Sequence, residues 1–298
     1  MSALMNLITP EDVRRLSNLQ VLARQVVEGF CSGLHRSPHK GFSVEFREHR
    51  AYAPGDDIRH LDWKVFGKTD RYYIREYEEE TNLRATLLVD VSGSMAYGSG
   101  AVTKADYAIR LAACLAYLML AQDDGVGLVL FDREVRVHIP PRTRPSHLRV
   151  LTEALERTAP GGETELGRVF KDLAPRLHRR GLLIILSDTF GDLSELLLSL
   201  ALFRHARHEV IVFQIWDPDE RDFPFKRWTR FECLERAGRR LFVDPATLRT
   251  AYMRRVERFQ QELRRGCSQY HVDLVSLTTD RPYAEALAEY LAARRRRG

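Results

Sequence analysis

From Arg84 onward, short apolar runs alternate with stretches of helical character. ATLLVD, VGLVLF, LLIILS and EVIVFQIW are too short and too continuously apolar to be amphipathic helices. They fit strands buried on both faces, which is the environment of a parallel sheet covered by helices on either side. The alternation predicts a doubly wound, mostly parallel α/β sheet of the Rossmann-like class. VGLVLF and EVRVHI, parted by Asp132-Arg133, predict an adjacent pair, and HVDLVSL a further strand. Helices are expected at 104–122, 145–158, 164–178, 192–207, 245–266 and 281–295. The first of these is apolar nearly all round, so it belongs inside the domain.

The lead-in reads differently. Thr9 as N-cap, Pro10 at the first helical position and Glu11 and Asp12 behind it predict a helix to about Phe30. A glycine- and base-rich stretch follows, then a densely charged block with a turn at Pro54-Gly55 and an extended segment over 72–77. Residues 1–83 are therefore expected to form a small N-terminal helix and β-rich extension on an α/β domain at 84–298.

Composition excludes more than it selects. The 46 basic and 41 acidic residues of the 298 leave a net charge of +5, a mixed surface that does not favour nucleic acid. The four cysteines, Cys31, Cys114, Cys233 and Cys267, contain no close pair of the kind that binds zinc or performs redox chemistry. MSALMNLITPEDVRRL does not read as a signal peptide, and Leu111–Ala121 is too short to span a bilayer. A cytoplasmic protein without a membrane association is expected.

Chemistry is concentrated where ATLLVD ends. Asp90 closes the strand and Val91-Ser92-Gly93-Ser94 continue it, so Asp90, Ser92 and Ser94 can converge on one point. A carboxylate and two hydroxyls are hard ligands suited to Mg2+ or Mn2+. Thr164, after Gly161-Gly162-Glu163, and Asp188, closing LLIILSD, stand at the ends of other elements and can complete the set.

These five residues resemble the metal-ion-dependent adhesion site of von Willebrand factor A domains. The resemblance implies that Asp90, Ser92, Ser94 and Thr164 hold the cation, with Asp188 direct or through water. The charged lead-in VEFREHRAYAPGDDIRHLDWKVFGKTDRYYIREYEEE, together with KADYAIRLAACLAYLML, WDPDERDFPF and TTDRPYAEALAEYL, resembles the bacterial and archaeal family called domain of unknown function 58 over roughly residues 10 to 296. That resemblance implies partnership with a MoxR-type AAA ATPase, or with its protein client, in chaperone-like assembly. Because few carboxylates face the ion, an acidic side chain from the partner would complete its coordination.

The rival reading is a metal-dependent hydrolase acting on a phosphoester. No histidine stands at a strand end near Asp90, and Ser92 lacks the nucleophile elbow of the α/β hydrolases. Gly67-Lys68-Thr69 lacks the first glycine of a phosphate loop, with Asp62 in its place, and His205-x-x-His208 lacks a third ligand. Asp56, Asp57, Arg59, Asp62 and Trp63 form either an ion-pair network that pins the extension or a second partner-binding surface. Arg294–Arg297 complement the dipole of the last helix. Asp90→Ala is expected to abolish metal binding while leaving the far-ultraviolet circular dichroism spectrum that of a folded protein.

Overall fold

The structure is a computed structural model, and it describes residues 18–35, 49–51, 73–75, 83–177, 180–236 and 238–295. Thr9, Pro10, Glu11, Asp12 and the turn at Pro54-Gly55 lie outside them, as do Asp56, Asp57, Arg59, Asp62 and Trp63.

Two compact units divide the chain, one comprising residues 1–34 and 83–298 and the other residues 35–82. The N-terminal helix thus joins the α/β unit, a division that cuts across the 1–83 segment. In the smaller unit, β1 (His49–Ala51) pairs antiparallel with β2 (Tyr73–Arg75), of which β2 lies within the segment 72–77 expected to be extended.

The larger unit starts with helix α1 (Leu19–His35). Leu19, Leu22, Ala23, Val26, Val27 and Phe30 recur at three- and four-residue spacing and all join the core. There follow β3 (Arg84–Asp90), α2 (Lys104–Leu120), β4 (Gly125–Phe131), β5 (Val135–Arg142), α3 (His147–Glu156) and α4 (Leu166–Leu173). The chain continues with β6 (Leu182–Ser187), α5 (Leu193–His205), β7 (Glu209–Trp216) and α6 (Pro218–Asp222). A hairpin of β8 (Thr229–Glu232) and β9 (Arg240–Val243) leads to α7 (Pro245–Gln269), β10 (Asp273–Thr278) and α8 (Tyr283–Arg295).

Six strands form one sheet in the order β10-β7-β6-β3-β4-β5. All pairings are parallel except β4 with β5, the pair expected from Asp132-Arg133. Every residue of β4 and β6 is buried, whereas β5 alternates half-buried and exposed as an edge strand does. Successive side chains go to opposite faces. Leu87 and Val89 join the core formed with α1, α2, α3 and α8, and Leu88 joins that formed with α4, α5 and α7. The fold is therefore a three-layer, doubly wound α/β domain.

Helix α2 lies inside as its composition requires. A capping box between Thr103 and Asp106 starts it, and most of its side chains, among them Leu111, Cys114 and Leu115, are buried. Burial pushes the Cys114 thiol well above its ordinary range, which makes it an inert packing residue. The hairpin β8–β9 falls where no strand is expected from the sequence. Among the described residues no helix is long and apolar enough to cross a membrane. Leu115→Ala would leave a cavity in this layer, and denaturant unfolding should show a loss of about 2–5 kcal/mol.

Candidate functional site

The chain runs from β3 to β4 on one side, and β6 later enters the sheet on the other side of β3. Such a reversal opens a crevice at the carboxyl ends of the strands, the usual ligand position in sheets of this kind. Asp90 ends β3, and Ser187 and Asp188 stand at the end of β6.

Asp90 is fully buried. Its Oδ1 accepts the backbone N–H of Ser92 at 2.9 Å, and its Oδ2 accepts the hydroxyl of Ser187 at 2.6 Å. The Ser92 and Ser94 hydroxyls lie 3.2 Å apart. All these donors are neutral, and among the described residues no ion pair joins Asp90. Burial raises its carboxyl to about 7, with the charge of Asp188 adding to the effect. Ser92 is buried as well, while Ser94 is half-buried.

The loop that bears Thr164 is strapped along the Asp90 loop. Gly161 donates its N–H to the Val91 carbonyl, and Gly93 to that of Gly162, both at 2.8 Å. Gly162 has φ +85°, and a Cβ there would come within 2.6 Å of the Asp132 carboxylate, so a side chain is excluded on two grounds. Arg136 pairs with Asp132 and donates to the carbonyls of Ala159 at 3.0 Å and Gly161 at 2.6 Å. The Thr164 hydroxyl donates to Glu235 Oε1 at 2.9 Å.

Asp188 has a different environment. The ammonium of Lys104, itself fully buried, lies 2.7 Å from Asp188 Oδ2 and 2.6 Å from Glu220 Oε1. The N–H of Phe190 donates to Asp188 Oδ1 at 3.0 Å, and the Phe190 ring lies 5.0 Å from the ammonium. Desolvation opposes the charge on Lys104, yet Asp188 and Glu220 hold its pKa above the ordinary lysine value. Burial raises the Glu220 carboxyl despite the neighbouring ammonium. Asp188 thus shares the protein's own cation, Lys104, with Glu220.

The remaining residues fit a hard divalent cation. Asp90 is a buried carboxylate without a cationic partner among the described residues, and Ser92, Ser94 and Thr164 add neutral oxygens. Among the described residues no three His, Cys, Asp or Glu side chains are grouped to hold an ion, hard or soft. His208 is instead packed beneath α5, with its Nε2 3.1 Å from the Leu177 carbonyl.

The sequence profile of the family described as protein of unknown function DUF58 matches residues 48–262. The chain belongs to the DUF58 family. Two uncharacterized relatives, Rv1480 of Mycobacterium tuberculosis and Mb1516 of Mycobacterium bovis, are each 28% identical over 291 residues, covering 96% of this chain and 91% of their own. Among solved structures, BatB of Bacteroides thetaiotaomicron aligns over 70% of this chain and 97% of its own at 14% identity and TM-score 0.49. The VWA domain of SpRpn10 aligns over 70% and 95% at 13% identity and TM-score 0.42. The strand order of this DUF58 domain, with Asp90 ending β3, is that of a doubly wound α/β sheet.

Several residues of the DUF58 site are not visible in the motif. Lys104 reads as the first residue of an apolar helix, and Glu220 as part of an acidic turn. Ser187 precedes the strand-terminal Asp and is one step from being recognised. Glu235 lies in a segment with no assigned element. Lys104→Met should strand Asp188 as a buried charge, and denaturant unfolding should report a loss of about 3–5 kcal/mol.

Proposed function

We propose that this DUF58 protein is a non-enzymatic, metal-dependent protein-binding module of the cytoplasm. Asp90, Ser92, Ser94 and Thr164 would hold Mg2+ or Mn2+, and the cation would attract an acidic side chain of the partner. The observation that carries the proposal is Asp90, a fully buried carboxylate that only neutral donors satisfy. A divalent cation is the species such a group lacks.

Binding is favoured over hydrolysis by the same surroundings. The carboxylate nearest in role to a general base is Asp188, and Lys104 already holds it. A groove of about 680 Å3 adjoins Ser94 and is walled by Phe190, Phe223, Phe231, Leu241 and Tyr252. It would accept apolar side chains flanking the partner's acidic residue. The proposed partner is a MoxR-type AAA ATPase or its client, which rests on the family resemblance in the sequence.

Isothermal titration against a MoxR-type AAA ATPase of the same organism tests the proposal, with magnesium and with chelator, for wild type and Asp90→Ala. Binding is expected only with metal and only with Asp90 present. Binding indifferent to both would move the contact away from the strand ends and overturn the reading.

A further inference from the structure

The hairpin β8–β9 reaches the metal loop by residues 233–236 of its turn. Three observations place that turn at the site. A Cβ on Gly93, between Ser92 and Ser94, would lie 2.4 Å from the Leu234 carbonyl oxygen, so the turn's backbone rests directly on the metal loop. Glu235 Oε1 accepts the Thr164 hydroxyl at 2.9 Å. Arg236 pairs with Glu163, the residue before Thr164, at 2.8 Å.

From this geometry we propose that Glu235 is an internal acidic ligand, standing where a partner's carboxylate must bind. The inference rests on the metal reading above and deepens it. Asp188 and Glu220 already share Lys104, so Asp90 would be the one carboxylate among the ligands proposed above. Glu235 supplies the second, and a carboxylate already hydrogen-bonded to a candidate metal ligand needs little rearrangement to share the ion. The chain thereby caps its own site.

The tip of the cap is lightly held. The Arg236–Glu163 pair is exposed on both sides, and ion pairs of that kind contribute little. The hairpin strands are four residues each and pair only with one another among the described strands. A partner carboxylate would therefore compete with Glu235 for one coordination position, and binding would be coupled to displacement of the turn.

Mn2+ binding followed by the electron paramagnetic resonance signal of the free ion tests this on the full chain, for wild type, Asp90→Ala, Glu235→Gln and Glu235→Ala. Wild type should bind in an Asp90-dependent manner, with both Glu235 variants weakened about ten-fold or more. Added acetate should restore affinity in Glu235→Ala and leave wild type unchanged. Asp90-dependent binding that is the same in wild type and both Glu235 variants would overturn the internal ligand and leave the metal reading standing. Wild-type protein that shows no Asp90-dependent binding would overturn both.

Discussion

Charge buried at the end of the central strand governs much of what surrounds it. Asp90 and Asp188 are close enough for one to raise the other's pKa, and both are removed from water. Two carboxylates in that position repel each other and lose their hydration, so each needs compensation. The protein gives Asp188 a lysine from α2 and gives Asp90 only hydroxyl and amide donors. This asymmetry is the reason to look for a cation at one carboxylate and not at the other.

The compensation also joins distant parts of the chain. Lys104 begins α2, Asp188 follows β6 and Glu220 lies in α6 after β7, so one ammonium ties three elements across the sheet edge. Ser99 repeats the tie, donating its N–H and its hydroxyl to Asp217 at 2.8 and 2.5 Å, and the Tyr97 hydroxyl reaches Asp219 at 3.0 Å. The loop after β3 is consequently held at both ends. A site fixed in this way does not need to fold around its ligand, and less ordering is required when the ligand arrives.

Much of this was legible in the sequence. Continuous apolar runs fixed by length and bounded by helices determine a parallel sheet almost regardless of detail, which is why β3, β4, β6 and β7 fall on the expected segments. Asp90, Ser92 and Ser94 share a short stretch of chain, and their spacing alone brings them together. Lys104 was not legible, because the apolar character of α2 hides a polar first residue whose partners are 84 and 116 positions away. The hairpin was hidden for a related reason: β8 and β9 each span four residues, with Trp228 and Phe242 packed against each other on an exposed face and not in the core. Weak alternation and arginine-rich flanks leave little signal for so short a pair.

The edge strand β5 carries Pro140 and Pro141 opposite a register shift in β4, together with Arg136 and His138. Prolines offer no N–H to a neighbour, and an irregular ladder with charged side chains presents no continuous template. Among the described strands, that flank of the sheet is a poor template for a further one. Crowding at high concentration would therefore find a poor docking rail on that flank, and the loops beside it have a chemistry that can discriminate between partners in a way that backbone pairing cannot.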